Sequence, residues 1–188
     1  MKNKQLVVSH FEKDMEWTKS VDETTDIAIY SKSSKENEYL KLANLGREPH
    51  TYAHHIIENY DNLHEWTLFC QDDPIIHVSN WIQIVNSNEE SWKNLCCMSV
   101  ERTYYFFIAG VYTETAGQTY NIVNNWKKIF NENCPSTITF VPACNFIAHR
   151  DSIRSRSLDF YVNLKNVLET EPNSPWEVER MITYIFKK

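Results

Sequence analysis

Short apolar runs alternate with helical stripes along most of this chain. Gln5 to Ser9, Asp26 to Ser31 and Glu65 to Cys70 are brief, largely apolar stretches and predict strands. Phe11 to Val21, behind the first strand, predicts a helix. Pro49 to Tyr60 follows the helical period, with proline in the first turn, where its missing N–H costs nothing. Ser87-Asn88-Glu89-Glu90 reads as a capping box opening a further helix. Arg102 to Val111 predicts an aromatic strand, Thr119 to Asn131 a helix, Thr137 to Ala148 one or two strands, and Asp151 to Leu168 a helix. At the end, Ser174-Pro175-Trp176-Glu177 combines a capping box with proline at the first helical position. Val178, Met181, Ile182, Ile185 and Phe186 then form a stripe that should dock on the body. The polar, charge-rich stretch Ser31 to Lys41 reads as a connecting loop.

Strands alternating with helices predict an α/β fold, a single three-layer domain over residues 1–188 with a mainly parallel central sheet. Leu6-Val7-Val8, Ile27-Ala28-Ile29 and Leu68-Phe69 should lie in neighbouring central strands. Ligands of such sheets sit outside the carboxyl ends of the strands, so residues just after strands are the first candidates for chemistry.

Composition narrows the function classes. At 42% hydrophobic and 23% charged, the chain has ordinary globular usage, and its 13% aromatics can build a sizeable core. The net charge of −6 disfavours broad nucleic-acid binding. The longest apolar stretch, Tyr104 to Tyr112, falls well short of the roughly 20 residues that span a bilayer, so no transmembrane segment is expected. Only Leu6-Val7-Val8 follows the basic start, too little for a signal-peptide core, and the expected location is cytoplasmic. The five cysteines lack metal spacing and are expected as reduced, mostly buried thiols.

Three constellations could carry chemistry. In the first, the apolar run ending at Cys70 leads into Gln71-Asp72-Asp73-Pro74 and His77. Asp72 and Asp73 are hard oxygen donors suited to a divalent cation on a diphosphate, with His77 a further ligand. A strand followed by an Asp-Pro turn with solvated acids explains the same residues. In the second, Arg47 follows a flexible glycine near a helix start and suits an anion. His50 and His54 are spaced to share a metal, but a solvated polar stripe with Glu58 and Asp61 explains the same pattern and is the preferred reading for His54 and Glu58. In the third, a strand ends in His149-Arg150, with Asp151 or Ser152 as a helix cap and Arg154 and Arg156 beyond. This reads as a phosphate or acceptor site at a strand end, or as a capped helix with solvated arginines.

Several blocks together resemble the domain-of-unknown-function family 3431. They are Gly46-Arg47-Glu48, Thr51-Tyr52, His55 through Leu63, Phe69 through Pro74 with His77, then Asn145-Phe146, Arg150, Ile153, Arg156 and Tyr161, and finally Glu179-Arg180 with Ile185-Phe186. The positions that match are Gly46, Arg47, Glu48, Tyr52, His55, Gln71, Asp73, His77 and Arg150. At Asp72 the family often carries a small or neutral residue, so the paired acid is a departure from its pattern. The family is in turn similar to nucleotide-sugar glycosyltransferases of the A-type fold. That resemblance implies transfer of a sugar from a nucleotide-sugar donor to a glycan or protein hydroxyl. Gly46, Arg47, Tyr52, His55, Gln71 and Arg150 would then bind substrate. Asp72, Asp73 and His77 would hold Mn²⁺ or Mg²⁺, and Glu48, Asp151 or Glu179 would deprotonate the acceptor. A non-catalytic glycan- or nucleotide-binding module would keep the pocket without base or metal. A metal-dependent hydrolase would be built on His50, His54 and Asp73.

Overall fold

A computed structural model describes residues 2–35, 38–107, 111–113, 120–141 and 144–186. Its main sheet has seven strands, ordered β3-β2-β1-β4-β9-β6-β5. They are β1 (Lys4–His10), β2 (Thr25–Ser31), β3 (Leu40–Lys41), β4 (Trp66–Gln71), β5 (Met98–Val100), β6 (Thr103–Tyr105) and β9 (Phe146–His149). β7 (Val111–Thr113) and β8 (Thr137–Thr139) form a separate antiparallel pair. The stretches at 108–110 and 142–143, within two of the predicted strand regions, lie outside the described residues.

The strands containing Leu6-Val7-Val8, Ile27-Ala28-Ile29 and Leu68-Phe69 are neighbours, as their apolar runs predict. β3, β2, β1 and β4 run parallel. From β4 onward the pairing turns antiparallel through β9, β6 and β5. The sheet is therefore mixed, with the expected parallel arrangement confined to its first half. Leu6, Val7, Val8, Leu68 and Phe69 are wholly buried, since helical structure covers both faces of β1 and β4.

Alternate residues of each strand feed two cores. Val7, Phe69, Tyr105, Phe146 and Ala148 face α1 (Arg47–Asn59), α4 (Ile122–Phe130), α6 (Leu158–Thr170) and α7 (Ser174–Ile185). Leu6, Val8, Leu68, Cys70 and Ile147 face Met15, α2 (Trp81–Val85) and Trp92 of α3 (Glu89–Leu95). The predicted stripe Val178, Met181, Ile182, Ile185 and Phe186 is buried in the first core.

Four local expectations change. The helix expected over Phe11 to Val21 shrinks to a 3-10 turn at Glu16–Ser20. The backbone N–H groups of Phe11, Glu12 and Lys13 donate instead to one carboxylate oxygen of Asp72. The helix expected over Asp151 to Leu168 breaks into α5 (Arg150–Arg154) and α6, where the Ser157 hydroxyl accepts from the Phe160 N–H as an N-cap. α3 is capped by Asn88 rather than Ser87, through the Ser91 N–H. Ser174 does not cap α7: its hydroxyl donates to Glu171 O at 2.7 Å. Glu177, expected in that capping box, is buried and accepts from Asn121 N and Asn125 Nδ2, which ties α7 to the start of α4. Of the cysteines, Cys70 and Cys144 are buried while Cys97 is exposed.

α1 is covered on two sides, by the sheet and by α6, so the polar face expected for His50 is also buried. His50 Nε2 lies 2.9 Å from Glu169 on α6. His55 is deeper, with the Tyr30 hydroxyl 3.0 Å from its Nδ1. Burial pushes His55 down to about 3 and also lowers His50 and His54. A folded-state value below the ordinary 6.5 makes the protonated imidazole favour the unfolded chain. Stability should be full above about pH 6.5 and fall as pH drops toward 5, at up to about 1.4 kcal/mol per pH unit for His55, with His50 and His54 acting in the same direction. Urea unfolding across this window measures it. An unchanged midpoint would contradict the buried neutral histidines.

Candidate functional site

The strand order reverses between β1 and β4: the chain runs from β1 outward to β2 and β3, then returns to the other side of β1 for β4. A crevice opens outside the carboxyl ends at such a point. A cleft of about 330 Å³ lies there, lined by Ser9, His10 and Phe11 from the end of β1, Lys32 after β2, Asn44, Arg47 and Glu48 at the start of α1, and Asp72 after β4. A second chamber of about 200 Å³ adjoins it and shares Arg47 and Glu48. Its other walls are Pro49, Gln71, His77, Cys144, Pro175, Trp176 and Glu179.

The turn into α1 shapes both chambers. Gly46 and Arg47 take positive φ of 58° and 49°, and the carbonyls flanking this turn meet a buried cation. Lys32 Nζ donates to Leu45 O at 2.5 Å and to Arg47 O. An ammonium has three donors, so one remains for the cleft. Burial lowers Lys32 to about 8, against the opposing pull of Glu48. A side chain on Gly46 would place its Cβ 2.6 Å from His50 Cβ and 3.0 Å from Leu168 Cβ. Both the conformation and the space therefore call for glycine. The first turn of α1 is further held by Thr51, whose hydroxyl is 2.8 Å from that of Ser9.

The opposite wall is built by Asp72. Besides its three backbone bonds to residues 11–13, its carbonyl accepts from Trp17 Nε1 at 3.0 Å. Asp72 thus fixes the strap that follows β1. His10 continues the lining, with Nε2 3.1 Å from Lys13 O and Nδ1 2.9 Å from Ser31 Oγ.

Of the expected site residues, Gly46, Arg47, Glu48, Gln71, Asp72, His77 and Glu179 come together around the two chambers. Asp73 lies beside them, its carboxylate 3.9 Å from Lys13 Nζ. Asp72, Asp73 and His77 do not converge as metal ligands: Asp72 is engaged by backbone N–H groups, and His77 packs its ring near Phe107 at 6.3 Å. Among the described residues no group of three or more His, Cys, Asp or Glu side chains could hold a metal ion. That also removes the arrangement of His50, His54 and Asp73.

Four expected site residues lie elsewhere. Tyr52 packs in the core against Phe69 and Phe146, and His55 is buried beneath Tyr30. Arg150 and Asp151 sit at the far end of the sheet. β9 pairs antiparallel with β4, setting His149 opposite Trp66, and Arg150 N donates to Glu65 O. The end of β9 therefore lies beside the start of β4. There the His149 imidazole accepts from Asp151 N and caps α5.

Sequence reasoning missed Lys32, Ser9, His10, Asn44 and Trp176. The signal for Lys32 was its place directly after a strand, hidden by reading Ser31 to Lys41 as a connecting loop.

Two substitutions test this construction. Asp72→Ala should destabilise the protein by about 1–2 kcal/mol in denaturant unfolding, as three N–H groups lose an ionic acceptor, with Asp72→Asn costing less. Equal stability of Asp72→Ala and wild type would contradict the strap's dependence on this carboxylate. Gly46→Ala should cost more than about 1 kcal/mol, and a neutral result would contradict the crowded left-handed turn.

A family model described as Protein of unknown function (DUF3431) matches residues 6–110, more than half of the chain, and the chain belongs to that family. The first chamber lies wholly within the matched stretch, whereas Cys144, Pro175, Trp176 and Glu179 complete the second from beyond it. No curated protein and no solved structure matches the chain. Among the described residues, no helix is long and apolar enough to cross a membrane.

Proposed function

We propose that this member of the DUF3431 family is a glycosyltransferase that takes its sugar from a nucleotide-sugar donor bound in the first chamber. The observation carrying this reading is the placement of Lys32 and Arg47 in a cleft at the point of strand-order reversal, in a chain of net charge −6. The same cleft holds Glu48, 3.4 Å from Arg47 Nε, and Asp72, whose carboxylate is engaged by backbone N–H groups; the spare Lys32 N–H and the rest of the Arg47 guanidinium suit an anion such as a diphosphate. The resemblance of the family to A-type nucleotide-sugar transferases supports the same substrate class and fold.

In this reading the diphosphate lies against the remaining Lys32 N–H and the Arg47 guanidinium. These two cations supply countercharge directly, and Asp72 or Asp73 at the end of β4 would hold the Mn²⁺ or Mg²⁺ that the resemblance implies. An acceptor oxygen attacks the anomeric carbon of the donor. The bond from that carbon to the phosphate oxygen breaks, and its electron pair leaves with the nucleoside diphosphate. Glu48, which borders both chambers, takes the acceptor hydroxyl proton. Asp151, at the far end of the sheet, has no part in this step.

Titration calorimetry with uridine, guanosine, cytidine and adenosine diphosphates, with and without Mn²⁺, tests the donor site. At least one should bind. Arg47→Ala should weaken it about tenfold or more, as expected for a lost charge-assisted hydrogen bond, while Glu58→Ala on exposed α1 surface changes little. Affinity should fall as pH rises through about 8, where Lys32 loses its charge. Absence of any binding, or Arg47→Ala behaving like Glu58→Ala, would overturn the reading. Binding without transfer from any matching nucleotide sugar, to water or to a saccharide, would favour the non-catalytic module.

A further inference from the structure

We propose that the second chamber is a subsite for a neutral saccharide, with Trp176 as its stacking face. The inference rests on the nucleotide-sugar reading for calling this subsite the acceptor site, but not for the binding itself.

The lining chooses the ligand class. Trp176 is a large aromatic left 38% exposed, on the first turn of α7. The turn is held from below by Pro175, which is buried, and by the Ser174 hydroxyl bonded to Glu171 O. The Arg47 guanidinium sits over the Trp176 ring, 5.4 Å from its centre, so it holds one face of the indole and a sugar would stack on the other. An indole face is electron-rich and apolar, and the C–H face of a pyranose is apolar with slightly positive hydrogens, so the two stack.

The polar groups around that face suit hydroxyls rather than charge. Arg47 is set against two carboxylates here, Glu48 and Glu179, and lacks the added Lys32 of the first chamber, so the lining suits a neutral ligand better than an anion. Carboxylates accept well from paired sugar hydroxyls. Gln71 Nε2 donates to Asp73 O at 3.0 Å, and its Oε1 accepts from no described residue. The ring nitrogens of His77 likewise have no hydrogen-bond partner among the described residues and can donate or accept. A chamber lined by an indole, a guanidinium, two carboxylates, an amide and an imidazole matches a neutral polyol with one apolar side. The volume of about 200 Å³ lies below the roughly 300–1,000 Å³ of pockets for drug-sized ligands and suits a single ring. A sugar seated here would hold a hydroxyl beside Glu48, the residue shared with the donor chamber.

The test is saturation-transfer NMR with tryptophan fluorescence, using methyl glycosides of glucose, galactose, mannose and xylose at millimolar concentration, with nucleoside diphosphates titrated separately. At least one glycoside should bind saturably. Trp176→Ala should weaken it about tenfold, Trp176→Phe should keep most of the affinity, and Glu179→Gln should weaken it several-fold. Glu58→Ala should leave it unchanged. If nucleoside diphosphates bind but no glycoside does, the saccharide subsite is wrong and the donor reading stands. If a glycoside binds with this variant pattern but no nucleotide does, the subsite stands and the donor reading falls. A glycoside that binds equally well to wild type and Trp176→Ala would overturn the subsite.

Discussion

β4 is where this sheet changes direction, and the geometry of the cleft depends on its two unlike edges. On one edge it runs parallel to β1, so the ends of both strands open on the same side. On the other it pairs antiparallel with β9, whose end is sent to the opposite side. One side of the sheet thus collects the residues after β1, β2 and β4, together with the start of α1. The other side collects Glu65, His149, Arg150 and Asp151. A strand of wholly buried residues from Thr67 to Cys70 cannot slip its register without turning apolar side chains out of both cores, so the arrangement is strongly specified.

Within the cleft, two tethers set the walls. Asp72 gathers the N–H groups of residues 11–13 onto one side, and Lys32 gathers the carbonyls of Leu45 and Arg47 onto the other. Each is a charged side chain satisfied by backbone dipoles. The first leaves a fixed strap, the second a cation with a donor to spare. The carbonyls satisfy hydrogens of Lys32 without cancelling its charge, and Glu48 acts on it from across the cleft. Arg47 borders both chambers, paired with Glu48 and lying over the Trp176 ring.

Much of this could be read from the residues. The runs at Leu6 to Val8, Ile27 to Ile29 and Leu68 to Phe69 identified the neighbouring strands, because a strand buried on both faces needs unbroken apolar side chains. The rule that chemistry follows strand ends found Gln71, Asp72 and His77, and the resemblance drew attention to Gly46, Arg47 and Glu48. The same rule misled at Arg150 and Asp151, since periodicity cannot tell a parallel strand from an antiparallel one. Tyr52 and His55 matched the family block but are interior residues. A helix clasped between a sheet and α6 buries polar positions that an isolated wheel would expose. Lys32 was legible only to a reader who treated β2 like β4. Trp176 was concealed by its place in a capping signal whose serine caps nothing.

If ligand chemistry belongs to the carboxyl side of the parallel strands, a nucleoside diphosphate must act there. Backbone amide shift mapping during titration with a nucleoside diphosphate tests it most directly. Perturbations should concentrate at residues 9–13, 32, 44–48 and 71–73, with His149 to Arg154 unmoved. Shifts centred instead on His149, Arg150 and Asp151, at the other end of the sheet, would contradict it.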